Sequence, residues 1–383
     1  MTVTAAKGFT ASGVAAGLKK SGDPDVALVV NTGPVFAAAG VFTTNRVQAA
    51  PVLWSRQVVA GGQVRAVVLN SGGANACTGP EGFQDTHRTA EHVASVLSCG
   101  AGEVAVCSTG LIGERLPMQR LLDGIGKAAA DLHAGGGDAA AEAIRTTDTV
   151  RKTAVVRRGD VTVGGMAKGA GMLAPGLATM LCVLTTDAVA TAETLDAVLR
   201  DAVRLTFDRV DTDGCMSTND TVLLLASGAS GVELDAAELR AIVHDACDDL
   251  ARQLVADAEG ATKDIVIYVR GAASEDDAVT VARSVARSNL VKCAVHGQDP
   301  NWGRIISAVG TTDAAFEPDA IGVTINGVEV CRNGAGYGDR ALVDMSGRDV
   351  VIDIALHAGD CEGFVRTTDL TAAYVHENSA YST

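Results

Sequence analysis

Aromatic residues are scarce in this chain of 383 residues: Trp, Tyr and Phe together make up 3%. Packing therefore falls to small and aliphatic side chains, and a composition 47% hydrophobic supplies enough of them for a sizeable core. Positive charge is also short. Thirty-one Lys+Arg against 46 Asp+Glu leave −15 at pH 7, which gives no electrostatic footprint for nucleic acid and disfavours anionic membrane surfaces. No stretch approaches ~18 consecutive apolar residues, so no membrane span is expected. The opening MTVTAAKGFTASG lacks the basic region and apolar run of a secretory signal. The nine cysteines contain no C-x-x-C and the seven histidines no H-x-x-x-H, so no metal site is expected. An odd number of scattered thiols in a long chain reads as reduced, mostly buried cysteines of a cytoplasmic protein. There is no G-x-x-x-x-G-K-[ST] and no G-x-S-x-G. Gly169-x-Gly171-x-x-Ala174 leads into an apolar strand where a dinucleotide site needs a helix.

What is present is glycine, 43 residues of it, and a series of short β-branched runs closely bounded by Gly, Pro, Asn, Asp or Ser. Runs at 26–30, 64–69, 104–106, 180–184, 222–225, 265–269, 321–325 and 350–356 read as strands. Between some of them lie helical patterns at 86–97, with Asp85 as N-cap, at 192–205 and at 236–258. Interleaved strands and helices make an α/β (α+β) architecture. The length suggests two domains, with a boundary in the turn at 271–276 separating residues 1–270 from a smaller domain, 271–383. The stretch GGGDAAA at 135–141 reads as a flexible loop opening a helix, and the polar ending HENSAYST as one that can fray.

Residues 164–184, GGMAKGAGMLAPGLATMLCVL, pass abruptly from glycine-rich loop to apolar strand at Ala178-Thr179. A hydroxyl at that junction suits an uncommon chemistry, in which the threonine oxygen attacks the preceding carbonyl, shifts the peptide to an ester, and water cleaves it. Thr179 would then own a free α-amine with a pKa of about 7.7–8.0, able to act as general base beside its own hydroxyl. Pro175 and the nearby glycines are suited to a strained turn. Taken alone, the Ala-Thr pair is better explained as a turn feeding a strand.

The run KGAGMLAPGLATML (168–181) resembles the self-cleavage segment of the ornithine acetyltransferase (glutamate N-acetyltransferase) family of arginine biosynthesis. The resemblance extends through NSGGANACTG (70–79), CSTGLIGERLP (107–117), TTDT (146–149), FDRVDTDG (207–214), STNDT (217–221), DAEGATK (257–263), DPNWGR (299–304) and ENSAYST (377–383). Gly176, Leu177 and Gly73 depart from the usual residues without removing a group the chemistry needs. The resemblance implies an αββα sandwich of the N-terminal-nucleophile type with a smaller C-terminal α/β domain. It implies cleavage between Ala178 and Thr179 into chains 1–178 and 179–383, assembled as an α2β2 heterotetramer.

By the same resemblance Thr179 is the nucleophile, and Thr109 and Gly110 form the oxyanion hole. Thr146, Lys168, Thr179, Glu259, Asn378 and Thr383 contact substrate, which makes the tail part of the site. Lys168, in the glycine-rich loop, would meet a carboxylate or steady the amine, and Glu259 would hold a substrate cation. Asn301 and Arg304 are read as structural, and Cys182 as a packed core thiol. The implied reaction is ping-pong transfer of acetyl from N2-acetyl-L-ornithine to L-glutamate, without a cofactor. Some family members also accept acetyl-CoA, and no residue in this chain decides that. Two alternatives stand beside it: an amidase or aminopeptidase using the same nucleophile, and a non-catalytic amino-acid-binding protein.

Overall fold

The computed structural model describes residues 2–174 and 180–380. They form two compact units, one made of Met1–Asp208 and Cys215–Leu254, the other of Arg209–Gly214 and Val255–Ser382. The expected boundary at 270/271 falls inside the strand Asp264–Ala272.

The first unit contains two sheets. One has the strands β1 (Phe9–Val14), β2 (Val26–Asn31), β4 (Ala66–Ser71) and β5 (Val104–Thr109) in the order β1-β2-β4-β5. The other has β3 (Ala38–Phe42), β6 (Lys152–Arg158), β7 (Val161–Lys168), β8 (Leu181–Thr186) and β9 (Thr221–Ala226) in the order β3-β9-β8-β7-β6. Pairs β4–β5 and β8–β9 are parallel and the others antiparallel. The helices are α1 (Ala50–Ala60), α2 (Gly79–Leu97), α3 (Met118–Ala130), α4 (Gly137–Ala143), α5 (Ala192–Leu205) and α6 (Ala236–Ala256).

Side-chain alternation explains the layering. On β2, β4 and β5, Ala27, Val29, Val67, Leu69, Ala105 and Cys107 share a core with Met166, Leu181, Val183, Leu223 and Leu225 of the other sheet. Their neighbours Val26, Leu28, Val30, Ala66, Val68, Val104 and Val106 pack on α2 and α3. Beyond the second sheet, α5 lies on β3 and β9, and α6 brings Leu250 towards Gly165 and hydrogen-bonds Gln253 to Thr153. Helix, sheet, sheet, helix is thus an αββα sandwich, as the resemblance implied. Strands buried on both faces read as unbroken apolar runs, which is why these were the visible ones.

The second unit has one six-stranded sheet. Its strands are β10 (Asp264–Ala272), β11 (Gly322–Ile325), β12 (Val328–Arg332), β13 (Ala335–Gly336), β14 (Asp349–Ala355) and β15 (Cys361–Thr368), in the order β13-β12-β11-β14-β10-β15. Helices α7 (Glu275–Arg287), α8 (Asn289–His296) and α9 (Trp302–Val309) cover one face through Ile265, Ile267, Val269, Val350, Ile352 and Ile354. Asn301 caps α9 by accepting from the Arg304 N–H at 3.2 Å, and Arg304 donates to the Leu290 carbonyl at 2.8 Å, the structural roles expected of them. The chain then runs into α10 (Ala372–Ala380), so most of the polar ending is helical.

Several local expectations change. Helix α2 starts at Gly79 with Thr78 as N-cap and Pro80 in its first turn, a preferred place for proline. Asp85 therefore lies inside the helix, where its buried carboxylate accepts from Arg115 at 2.7 and 3.0 Å. The glycines at 135–137 mark close approach, not a flexible loop. A Cβ on Gly136 would stand 1.8 Å from the Ala11 carbonyl oxygen, and one on Gly137 1.7 Å from Thr2 Oγ1. Of the nine cysteines, four are exposed and four buried, so burial is less general than expected. Cys182 is in the core, where burial pushes its thiol pKa well up.

The β1–α4 contact gives a test. A Cβ on Gly13 would meet the Ala139 carbonyl oxygen at 2.0 Å, whereas one on Gly102 would meet nothing. Urea unfolding of Gly13→Ala is expected to show a loss of about 1–3 kcal/mol or more, with Gly102→Ala near wild type. Equal stability of the two variants would refute the contact.

Candidate active site

Strand ends of both sheets in the first unit converge on a buried polar cluster. β5 ends at Thr109, β7 ends at Lys168, β8 begins just after Met180, and β9 begins just after Asp220. Lys168 pairs with Leu181 and Leu181 with Thr221. Lys168 is buried, and its Nζ donates to Thr109 Oγ1 at 3.3 Å, linking the two sheets. It is therefore the last residue of a strand, not a member of the loop that follows.

The backbone around Thr109 is held tightly. The N–H groups of Gly72 and Gly73 both donate to its carbonyl at 3.0 Å. Gly110 has φ +130°, and a Cβ there would lie 2.4 Å from the Gly73 nitrogen. Glycine is thus demanded twice, by the torsion and by the space. Asn70 accepts from Ser108 Oγ at 2.6 Å and donates to the Gly73 carbonyl at 3.0 Å. Asn219 donates to the carbonyls of Ala74 (2.7 Å) and Ser108 (2.8 Å). The segments 70–79, 107–117 and 217–221 are one network.

Asp148 organises the other side. Its Oδ1 accepts from Lys152 Nζ at 2.6 Å and from the Gly169 N–H at 2.7 Å, and its Oδ2 from the Thr146 N–H at 3.0 Å. One carboxylate thus fixes Thr146 and the residue after Lys168. Burial opposes its ionisation, but the Lys168 and Lys152 charges and these hydrogen bonds prevail and hold its pKa down at about 2. Asp220 goes the other way. It is fully buried, and Oδ1 accepts from the Met180 N–H at 2.9 Å. Burial pushes its pKa well up, against that hydrogen bond, the Lys168 charge and Ser217.

In the second unit Glu259 and Asn378 meet: Asn378 Nδ2 donates to Glu259 Oε2 at 3.0 Å and to the Tyr374 carbonyl at 3.0 Å. Gly260, with φ +62°, lets α10 come close, since a Cβ there would sit 2.3 Å from the Tyr374 nitrogen. Thr371 Oγ1 donates to the Gly260 carbonyl at 2.7 Å.

Thr109, Gly110, Thr146 and Lys168 therefore gather in the first unit, and Glu259 and Asn378 pair in the second. Ala178, Thr179 and Thr383 lie outside the described residues. The reading of motifs missed Lys152 and gave no role to Asp148 or Asp220, although TTDT and STNDT contain the two aspartates. Among the described residues no group of His, Cys, Asp or Glu could hold a metal ion, and no helix is long and apolar enough to cross a membrane.

A family model, ArgJ family, matches residues 10–383. The chain belongs to the ArgJ family. It is 67% identical to the arginine biosynthesis bifunctional protein ArgJ of Streptomyces coelicolor, with 100% of each chain covered. Identity to the protein of the same name from Thermobifida fusca is 64%, again over 100% of each. A crystal structure of ornithine acetyltransferase complexed with ornithine from Mycobacterium tuberculosis is 61% identical, covering 47% of this chain and 96% of that one, with a TM-score of 0.45.

The ion pair can be tested directly. Asp148→Asn removes the carboxylate that pairs with the buried Lys152 ammonium and is expected to cost about 3–5 kcal/mol in urea unfolding at pH 7. Adding Lys152→Met should recover most of that loss. Because the folded pKa of Asp148 lies below its ordinary 3.8, its contribution is complete above pH ~4 and is lost as pH falls through ~2. A single Asn variant as stable as wild type would disprove the pairing.

Proposed function

We propose that this ArgJ-family chain is a cytoplasmic, self-processing acetyltransferase that moves acetyl from N2-acetyl-L-ornithine to L-glutamate. The observation that carries the reading is the hydrogen bond between Lys168 and Thr109. Beside it, the N–H of Met180, covalently joined to Thr179, is held by Asp220. An oxyanion donor, a buried cation and the backbone next to the nucleophile thus belong to one network.

In this mechanism the chain is cut between Ala178 and Thr179, giving chains 1–178 and 179–383 in an α2β2 assembly. The Thr179 hydroxyl attacks the acetamide, and its freed α-amine takes the proton. The Thr109 hydroxyl and the Gly110 N–H receive the developing oxyanion. Ornithine leaves, glutamate attacks the acetyl-threonine ester, and N-acetyl-L-glutamate forms by the reverse steps. Exchange of one amide for another needs no external energy source, and excluding water from the ester separates transfer from hydrolysis. Lys168 and Thr146 face substrate polar groups in this reading. Glu259, hydrogen-bonded to Asn378, holds the ornithine side-chain cation, an attraction strengthened by a partly dry pocket, and Asn378 and Thr383 serve as further substrate contacts.

Denaturing electrophoresis with N-terminal sequencing is expected to give two bands, the second beginning Thr-Met-Leu-Cys. Thr179→Ala should stay whole and inactive, and normal turnover by that variant would exclude a covalent role. Thr109→Ala should lower kcat by about 10²–10³-fold. Acetate release that does not depend on glutamate would identify an amidase on the same scaffold. Initial rates with acetyl-CoA and glutamate will show whether the second donor is used.

A further inference from the structure

Two neighbouring donors at the end of β5 have no acceptor among the described residues. Lys168 Nζ donates to Thr109 Oγ1 at 3.3 Å. An ammonium has no lone pair, so the hydroxyl oxygen is the acceptor in that bond and its own proton must turn elsewhere. No described residue takes that proton, although Thr109 is buried. The Gly110 N–H is likewise unengaged by any described acceptor. A hydroxyl and a backbone N–H left open on adjacent residues suit one ligand oxygen on which negative charge develops. That is the role the acetyl-transfer reading gives them.

The direction of the Gly110 N–H is set from behind. The Thr109–Gly110 peptide is trans, so its carbonyl and its N–H point in opposite directions. The carbonyl is held by the N–H groups of Gly72 and Gly73, both at 3.0 Å, and the Gly110 N–H is therefore turned away from that loop. Its aim is as firm as residues 72–74 are. Asn219 fastens them. Its Nδ2 donates to the Ala74 carbonyl at 2.7 Å and to the Ser108 carbonyl at 2.8 Å. Ala74 follows the glycine pair and Ser108 precedes Thr109, so one amide joins the two segments that meet at the open donors. Thr218 Oγ1 donates to Asn219 Oδ1 at 2.6 Å, which fixes the orientation of the amide. The side chain is buried, where water competes little for these bonds.

We propose that Asn219 is a positioning residue that aims the oxyanion hole, an inference that rests on the acetyl-transfer reading above. It acts through backbone: a shift of either carbonyl it holds moves the Gly110 N–H and the Thr109 hydroxyl off line. Hydrogen bonds weaken steeply as they bend, and these two gain strength as charge builds on the ligand oxygen. Loss of aim therefore falls on turnover and spares ground-state binding. A clamp that merely supported the fold would show no such division.

The test is steady-state transfer of acetyl from N2-acetyl-L-ornithine to glutamate, with rates referred to the cut fraction on denaturing gels. Asn219→Ala is expected to lower kcat at least about tenfold while KM for both substrates stays within about threefold of wild type. In a double-variant cycle with Thr109→Ala, the combined loss should fall short of the product of the two single losses, because both changes act on the same hole. Should Asn219→Ala fail to fold or to be cut, Asn219→Gln decides. It keeps the amide but displaces it by one methylene, and the same division between kcat and KM is expected. A smaller loss of kcat, a larger change in KM, or single losses that multiply in full overturns this assignment alone. A wild-type enzyme without glutamate-dependent transfer overturns the acetyl-transfer reading and this inference together.

Discussion

The buried ammonium groups of Lys152 and Lys168 set the terms for the first unit. They are 0% and 2% exposed, and removing such an ion from water costs several kcal/mol even after relaxation. The sandwich tolerates them because Asp148, itself buried, carries a full negative charge between them. That carboxylate spends its remaining lone pairs on the N–H groups of Thr146 and Gly169. Electrostatic necessity and geometric precision come from the same atoms. A carboxylate with this many donors has little freedom to turn, so the segments that carry it are fixed relative to the end of β7. The interaction between charges thereby becomes a means of holding backbone in place.

Glycine does the complementary work. At Gly110 the positive φ and the Gly73 nitrogen 2.4 Å from an imagined Cβ let two loops lie against each other, both tied to the Thr109 carbonyl. At Gly260 the same device lets α10 settle over the segment bearing Glu259. In both places a side chain would hold apart the groups that must converge. The scarcity of aromatic residues fits this economy: Ala, Val and Gly allow backbones to approach where larger residues would keep them separate.

Much of the sandwich was legible because β2, β4, β5, β8 and β9 are buried on both faces and read as continuous apolar runs. Strands β1, β3, β6 and β7 were not, since FTASGV, AAGVF, KTAVVRR and VTVGGMAK mix small or charged residues into the pattern. Their burial depends on partners distant in sequence. The loop at 135–137 was misread for a related reason: glycine for freedom and glycine for close approach look alike until Ala11 and Thr2 are placed against it. Within the candidate site, whole motifs pointed to segments that the fold brings together, but the contacts inside them were hidden. Lys152 lies in no motif, and its importance arises from a carboxylate four residues earlier that folds back on it. Glu259 and Asn378 were singled out only by the family resemblance, and their hydrogen bond across 119 residues was foreseen by no local pattern.

The two buried aspartates around Lys168 show how one cation can produce opposite behaviour. Both feel its charge, and for both burial is the largest influence. Asp148 has a second ammonium, from Lys152, and donors on both oxygens, so its charged form wins. Asp220 has the Lys168 charge and hydrogen bonds from Met180 and Ser217, and burial outweighs them, so its proton affinity rises. Two carboxylates driven apart in this way do different work, the first holding charge and backbone still, the second fixing the start of β8 through the Met180 N–H. Exchanging their roles would require moving Lys152 across the site. The split is thus set by where β6 places one lysine, while Asp220 lies beside Met180 because β9 begins where β8 does.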